Sequence, residues 1–284
     1  MKTNFNRFYE AVFFAFVFLL LIFFVRSATY NFSDFASSAG DNPPKNIEEE
    51  PKGEDRKALS DSDSTEASDV PKILIDPGHQ KEPDYSRENA APALNSTVYK
   101  VATGTRGVAT GVWEYELVLD VAFKLESELK DLGYQVALTR DRHDVHITNK
   151  ERGQMAREVG ADILVSLHAD GSSITSAQGV SVLSPAFNVS FIDADRAAVS
   201  KTLSTYIVEE LSEATGARNR GVHFRNNLSI LNWSEVPSAL VEMGFMSNPE
   251  EDRKMQNQEY QEKIAQGIAS GIQQYFNSLA DSKE

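Results

Sequence analysis

The stretch that decides the fold reads Lys72-Ile73-Leu74-Ile75-Asp76-Pro77-Gly78-His79. A short β-branched apolar run ends in Asp-Pro-Gly, a typical turn signal, so this stretch predicts a strand that runs into a turn. Downstream, apolar residues recur at helical spacing from Leu117 to Leu132, and Gly133 marks the end of that helix. Residues 136–139 predict a second strand.

The same alternation of helices and strands continues along the rest of the chain. Further helices are predicted at residues 149–159, 199–211 and 264–279, and further strands at residues 163–167, 179–183 and 239–241. Strands that alternate with helices at this spacing predict an α/β fold with a mostly parallel twisted sheet flanked by helices.

The composition excludes several classes of function. The chain of 284 residues contains no cysteine, which excludes disulfide scaffolds, zinc ribbons, iron–sulfur clusters and thiol nucleophiles. Any metal must therefore be held by histidine nitrogens or carboxylate oxygens. A formal net charge of −14 argues against a nucleic-acid-binding protein that works by neutralising phosphates.

The first thirty residues differ in character from those that follow. Lys2 and Arg7 precede an uninterrupted apolar run at residues 11–25, and Arg26 follows it. We interpret residues 1–30 as an uncleaved membrane anchor with the bulk of the chain outside the membrane. Because the run is shorter than the roughly 20 residues of a typical span, a cleaved secretory signal peptide is the alternative.

Residues 31–70 have the composition of a linker. They carry eleven acidic and four basic side chains, with Ser, Pro, Gly and Ala and almost no large apolar residues. Such a segment buries too little apolar surface to offset the entropy lost on ordering, so we expect an acidic, disordered tether. Residues 71–284 then form the globular part of the chain.

Titratable side chains follow three of the predicted strands. His79 comes just after the first strand, His168 ends the third, and Glu242 follows the strand at residues 239–241. In open parallel sheets, sites gather beyond the carboxyl ends of the strands. Glu114, at the first turn of the long helix, is a fourth candidate whose charge also suits the helix dipole.

Two histidines and one carboxylate are a common ligand set for catalytic zinc, with the fourth position left open for water. A second carboxylate would then serve as the general base. The spacing alone leaves open which of Glu114 and Glu242 binds metal and which moves protons. A purely structural role for each residue is the alternative, although an unpaired carboxylate among the apolar residues around Glu242 would be costly to bury.

The remaining histidines give weaker signals. His143 and His146 lie in a polar stretch and are predicted to face solvent, and the pattern around His223 favours no role.

Five motifs occur in order along the globular part of the chain. They are Ile73 to His79, Glu114 to Leu119, Thr139-Arg140-Asp141, Ala161 to Ala169, and Pro237 through Val241-Glu242-Met243-Gly244-Phe245-Met246-Ser247-Asn248. Together they resemble the zinc-dependent N-acetylmuramoyl-L-alanine amidases of the type-3 family, over roughly residues 71–279.

This resemblance implies an assignment that the spacing leaves open. In the family, the zinc ligands match His79, Glu114 and His168, and the catalytic glutamate matches Glu242. The implied substrate is peptidoglycan, and the bond cut is the amide between the lactyl group of N-acetylmuramic acid and L-alanine of the stem peptide. The resemblance also implies a single α/β domain with a mostly parallel sheet. From the N-terminal anchor, we expect the protein at the cell surface, membrane-anchored with its catalytic domain outside the cytoplasm, or secreted if the N-terminal segment is cleaved.

The sequence departs from the family pattern beside the first histidine and after the second. Gln80 and Lys81 replace the usual glycines, and Asp170 replaces the asparagine that commonly follows His-Ala. Glu114 lies 35 positions after His79, which is long for the family. These departures leave every predicted ligand in place.

The long segment between His79 and Glu114, here called the insertion (residues 80–113), shows no clear helical or strand pattern. Long loops of this kind are usually functional or disordered. We expect the insertion to border the cleft and contact glycan or stem peptide, and a solvated excursion is the alternative. Arg218, Arg220 and Arg225 form a second hypothetical contact with stem-peptide carboxylates, unless they lie in a solvated loop.

Two other functions are consistent with the same residues. One is a zinc peptidase that cuts within the stem peptide, and the other is a non-catalytic cell-wall-binding module on the same scaffold. The sequence predicts no oligomeric state.

Overall fold

The structure is a computed structural model that describes residues 70–187 and 189–281. The apolar run at residues 11–25, and the acidic linker up to residue 69, lie outside the described residues. Within the described ranges, no helix combines the length and the apolar character needed to cross a membrane. The anchor and the boundaries of the domain therefore stay predictions.

The described part of the chain contains strands and helices in close alternation. The strands are β1 (Lys72–Pro77), β2 (Asp84–Asn89), β3 (Thr97–Val101), β4 (Gln135–Leu138), β5 (Ile163–Asp170), β6 (Val180–Pro185), β7 (Asn219–Arg225) and β8 (Ser238–Phe245). The helices are α1 (Glu114–Asp131), α2 (Asn149–Glu158), α3 (Ala194–Thr215), α4 (Ser229–Trp233), α5 (Pro249–Met255) and α6 (Gln258–Asp281).

Six of these strands form one sheet in the order β4-β1-β5-β8-β6-β7. Strands β4, β1, β5 and β8 run parallel to one another. Strand β6 is antiparallel to β8, and β7 runs parallel to β6. The predicted α/β fold with a mostly parallel sheet is confirmed, with two reversed strands at one edge.

The central strands are buried on both faces, which is why their sequences read as continuous apolar runs. In β1, Ile73 and Ile75 face the larger core against α1, α3 and α6, while Leu74 faces a smaller core against α2 and α4. The same alternation in β5 and β8 directs Leu164 and Leu240 to the smaller core. Because the side-chain period is two, His168 and Glu242 point to that same face at the strand ends.

The expectation that the insertion lacks regular structure is wrong. Strands β2 and β3 pair antiparallel as a separate two-stranded sheet, here called the hairpin. The alternation of apolar and polar residues that marks a strand is missing from β2, because its buried side chain is the charged Glu88. Likewise, the segment around Arg220 is the edge strand β7 and not a loop.

Candidate metal centre

Three predicted residues meet at the carboxyl ends of β1 and β5. His79 follows β1, His168 lies in β5, and Glu114 is the first residue of α1. Nδ1 of His168 lies 3.1 Å from Nε2 of His79 and 3.0 Å from Oε1 of Glu114. The distance from Nε2 of His79 to Oε1 of Glu114 is 3.2 Å. Three potential ligand atoms therefore form a nearly equilateral triangle.

This triangle fits a small divalent cation. Zinc bonds of about 2.0–2.1 Å in a tetrahedron separate neighbouring ligand atoms by about 3.3 Å, close to the observed distances. Among the described residues, His79, Glu114 and His168 are the group of histidine and acidic side chains close enough to share a metal ion. Two imidazoles and one carboxylate, without a thiolate, are typical of catalytic zinc sites with an open fourth position.

The backbone of the insertion fixes the orientation of His79. Nδ1 of His79 lies 2.8 Å from the carbonyl oxygen of Ala102, which can only accept, so Nδ1 carries the proton and Nε2 is free to bind metal. Burial acts to lower the pKa of His79, but the Glu114 carboxylate outweighs this effect and raises the pKa.

The carboxylate of Glu114 is held by backbone groups from two other segments. Its Oε2 accepts a hydrogen bond of 2.6 Å from the amide of Thr105, and its Oε1 accepts one of 3.0 Å from the amide of Ala169. Burial acts to raise the pKa of Glu114, yet His79 and His168 hold it well below its usual range. Glu114 is thus a charged and oriented candidate ligand.

Two glycines allow the cluster to pack this closely. A Cβ atom on Gly78 would lie 2.4 Å from Cε1 of His168. A Cβ atom on Gly104, which has a φ of +80°, would lie 2.9 Å from both the Glu114 carboxylate and the His79 ring. Either substitution would therefore displace one of the three candidate ligands.

Two buried arginines hold the turn that carries His79. His79 itself has a φ of +58°, a left-handed conformation that needs support from its surroundings. Arg152 donates hydrogen bonds to the carbonyls of Pro77 and His79, both at 2.9 Å. Arg140 donates to the carbonyls of Pro77 at 2.8 Å and Gly78 at 2.9 Å. Three successive carbonyls are therefore fixed by guanidinium groups.

The charge of Arg152 is balanced by Asp76 at the end of β1. Both side chains are almost fully buried, with Nη1 of Arg152 at 2.8 Å from Oδ1 of Asp76. Thr139 and Ser166 also donate to this carboxylate, at 2.5 Å and 2.7 Å. Burial opposes ionisation, but Arg152 and the two hydroxyls lower the pKa of Asp76 to about 2.

Glu242 lies on β8 directly opposite His168 of β5. Neighbouring strands are about 4.8 Å apart, so the Glu242 side chain starts one strand spacing from a predicted ligand and points to the same face. Its Oε2 is buried without a hydrogen-bond partner. Burial, followed by repulsion from the Glu114 and Asp170 carboxylates, raises the pKa of Glu242 well above its usual range.

The remaining candidates are not part of the group formed by His79, Glu114 and His168, although Arg220 and Arg225 act on the nearby Asp170 carboxylate. His146 and His223 are exposed, but the prediction that His143 faces solvent is wrong, because it is half-buried with its ring 5.4 Å from that of Tyr115. Arg218 and Arg220 are near the start of β7 and Arg225 ends it, all exposed, so the three do not form one compact cluster.

Several residues that build the site were not predicted as functional. Ala102 and Thr105 act through backbone atoms and leave no signal in the choice of side chain. The sequence marks Arg140 only as part of the Thr139-Arg140-Asp141 motif. The signal for Arg152 was that this charged residue lies on the same helix as Gly153 and Ala156, which are buried.

The family follows from this geometry together with a comparison of sequences. A family model described as N-acetylmuramoyl-L-alanine amidase matches residues 73–274, which include all four predicted site residues. The chain belongs to the N-acetylmuramoyl-L-alanine amidase family.

Named amidases resemble the chain at about one quarter identity. AmiC of Neisseria meningitidis is 27% identical over 243 residues, covering 73% of this chain and 53% of AmiC, so the chain spans about half the length of that relative. The amidase structure from Clostridium difficile 630 is 27% identical with a TM-score of 0.60, covering 74% of this chain and 99% of the other. Ami1 of Mycobacterium smegmatis is 26% identical with a TM-score of 0.66, covering 73% and 97%.

Proposed function

We propose that this protein hydrolyses the amide bond between N-acetylmuramic acid and the L-alanine that begins the peptidoglycan stem peptide. The observation that carries the proposal is the triangle of His79 Nε2, Glu114 Oε1 and His168 Nδ1, at 3.0–3.2 Å, with Glu242 one strand away. Membership of the amidase family supplies the substrate class.

His79, Glu114 and His168 would hold a zinc ion, leaving its fourth position to water and substrate. Zinc bound there would polarise the lactyl carbonyl and lower the pKa of water. The protein keeps these ligands ready. The Ala102 carbonyl fixes the tautomer of His79, and two backbone amides orient the Glu114 carboxylate.

Glu242 is the proton-transfer group in this proposal. As a carboxylate, it takes a proton from the water that attacks the lactyl carbonyl. It then delivers that proton to the nitrogen of the departing L-alanine, which leaves as a free amine. A raised pKa suits both steps, since the group must bind the proton after removing it from water. Its unpartnered Oε2 is available for this exchange.

We also propose that the catalytic domain acts outside the cytoplasmic membrane, where peptidoglycan lies. The apolar run at residues 11–25 and the acidic segment that follows it support tethering to the membrane. Membrane fractionation of cells that produce the full chain, compared with a chain lacking residues 1–30, tests the tether. The full chain should sediment with membranes and the shortened chain should not.

The products formed from purified peptidoglycan test the activity. Mass spectrometry should find stem peptides with a free L-alanine amino terminus and glycan carrying free lactyl carboxyl groups. A chelator should abolish product formation, and added zinc should restore it. Fragments cut within the stem peptide would identify a zinc peptidase instead, and binding to peptidoglycan without products would identify a wall-binding module.

A further inference from the structure

The hairpin is fixed firmly to the body of the domain by polar contacts. The buried Glu88 carboxylate accepts hydrogen bonds from the Lys150 amide at 3.0 Å and the Ser229 hydroxyl at 2.8 Å. At the end of β2, the Trp233 indole donates to the Asn89 carbonyl at 2.9 Å. These contacts attach the hairpin to α2 and α4, on the face of the sheet toward which His168 and Glu242 point.

The opposite face of the hairpin exposes two tyrosines and an arginine. Tyr85 and Tyr99 remain 55% and 50% exposed, and their ring centroids lie 5.3 Å apart in an edge-to-face arrangement. The Arg87 guanidinium lies 5.0 Å from the centroid of the Tyr99 ring. Large exposed aromatic rings that pack on one another form a rigid, amphipathic surface. Because the rings are already ordered, little side-chain entropy is lost when a ligand binds to them. We call Tyr85, Arg87 and Tyr99 the tyrosine face.

The tyrosine face is continuous with the metal centre. The Tyr85 hydroxyl is hydrogen-bonded to the Thr103 hydroxyl. Thr103 lies between two residues that touch the ligands, since the Ala102 carbonyl binds His79 and Gly104 packs against Glu114. Adjacent Cα atoms are about 3.8 Å apart, so the face begins within one or two residues of the cluster.

We propose that the tyrosine face binds the glycan strand of peptidoglycan beside the sugar whose lactyl group is cleaved. This inference rests on the proposed function and names the part of the substrate that the insertion recognises. A pyranose ring has an apolar C–H side and a rim of hydroxyl groups. The tyrosine rings match the apolar side, while Arg87 and the tyrosine hydroxyls offer hydrogen bonds to the rim.

The stem peptide is a poorer match for the same surface. The L-alanine that begins it presents one methyl group, which would cover little of two aromatic rings. A peptide that adds to a strand edge would rely on main-chain hydrogen bonds, whereas the exposed groups here are side chains on the outer face. The polymer also extends beyond the cleaved sugar, so a surface next to the metal centre lies in reach of it.

A double variant, Tyr85→Ala with Tyr99→Ala, made in the full chain, tests the proposal. The quantity measured is the ratio of kcat/KM values on two substrates. The substrates are peptidoglycan with long glycan strands and a disaccharide muropeptide, which has no neighbouring sugars. We expect kcat/KM for the polymer to fall at least about tenfold relative to that for the muropeptide, mainly through KM. Tyr85→Phe with Tyr99→Phe keeps both rings and should keep most of the ratio.

A second exposed aromatic pair provides the matched control. Phe187 and Phe224 are 37% and 41% exposed, with ring centroids 5.0 Å apart. Phe187 follows the end of β6 and Phe224 lies near the end of β7, whereas Glu242 pairs with Ser181 near the start of β6. Replacing both phenylalanines by alanine should leave the ratio between polymer and muropeptide unchanged.

A binding measurement separates glycan from peptide as the occupant. In a Glu242→Gln background, the chain should bind glycan strands stripped of peptides, and the two tyrosine-to-alanine changes should weaken that binding about tenfold or more. Equal binding with and without the tyrosines would overturn the proposal, as would an equal loss of cleavage on polymer and muropeptide. If the parent chain cleaves neither substrate, the proposed function itself fails, and only the glycan-binding result speaks to the tyrosine face.

Discussion

Asp76 and Glu242 are carboxylates near the carboxyl ends of strands in one sheet, and their surroundings differ. Asp76 is almost fully buried, whereas Glu242 is partly exposed with its Oε2 atom buried. Asp76 accepts hydrogen bonds from Arg152, Thr139 and Ser166, and its pKa is about 2. Glu242 has an oxygen with no partner, and its pKa is raised. Since buried polar groups are nearly always hydrogen-bonded, the exception at Glu242 calls for an explanation.

This difference separates a positioning carboxylate from a reactive one. Asp76 stays ionised and holds Arg152, which in turn fixes the carbonyls on either side of Gly78. Glu242 is destabilised as an anion, so it gains by taking up a proton. In the proposed mechanism, the geometry of the candidate metal centre therefore depends on Asp76, and proton transfer depends on Glu242.

The largest expected effect comes from replacing the reactive carboxylate. Glu242→Gln should lower kcat by roughly 10²- to 10⁴-fold, since an amide cannot accept the proton of the attacking water. The free energy of unfolding should stay the same or rise, because a costly buried charge is removed. Steady-state kinetics and thermal denaturation measure both quantities.

A ligand variant provides the contrast for that experiment. His168→Ala should lose the metal, measured as zinc per chain, whereas Glu242→Gln should keep it. Appreciable turnover by Glu242→Gln, or loss of its zinc, would remove the distinction between the proton-transfer group and the ligands.

Replacing the positioning carboxylate should act on stability. Asp76→Asn leaves the buried Arg152 without its counterion, and breaking such a pair typically costs about 3–5 kcal/mol of unfolding free energy. Asp141→Asn is the matched control, because Asp141 pairs with Arg142 at the surface, where both side chains are about 70% exposed. That change should stay within about 0.5 kcal/mol. Denaturant unfolding measures both.

The same pair predicts a dependence of stability on pH. The pKa of Asp76 falls from 3.8 to about 2 on folding. The ionised Asp76 carboxylate therefore makes its full contribution to the free energy of unfolding at pH values above the unfolded pKa, and this contribution is lost as the pH drops toward 2. That contribution is about 2 kcal/mol. The difference in unfolding free energy between the wild type and Asp76→Asn should therefore narrow by about 2 kcal/mol between about pH 5 and about pH 2. A constant difference would show that Asp76 does not titrate as proposed.

The smallest expected effect concerns Asp170, which helps raise the pKa of Glu242. Asp170→Asn removes a negative neighbour, so the pKa of Glu242 should fall. A general base works in its deprotonated form, and the acidic limb of the profile of kcat/KM against pH should move to lower pH. An unchanged limb, with the zinc content preserved, would mean that Asp170 does not influence Glu242.

Much of the scaffold could be predicted from the sequence because its central strands are apolar on both faces. Residues 72–75, 163–167 and 239–241 read as strands without reference to any contact, and each lies within an observed strand. His79, His168 and Glu242 could be placed at the strand ends for the same reason. Their roles as ligands and general base stay predictions that the zinc and kinetic measurements test.

The insertion could not be predicted in the same way. Its first strand buries a glutamate and exposes a tyrosine and an arginine, so a pattern of apolar residues cannot identify it. What holds it in place is long-range, such as the Glu88 contacts with α2 and α4 and the buried Asp252 of α5, which accepts hydrogen bonds from the Ala109 and Thr110 amides.

The sequence by itself determined five of the six strands of the main sheet, the four longest helices and the side chains available for metal chemistry, since periodicity and residue type are local properties. Only the tertiary structure decided how those side chains are held. The Ala102 carbonyl that orients His79 and the missing partner of Glu242 depend on segments brought together by folding. Every residue carries the same backbone carbonyl, so the sequence does not mark Ala102. The absence of a hydrogen-bond partner depends on all the segments that surround Glu242 in the folded chain, so the sequence does not mark it either.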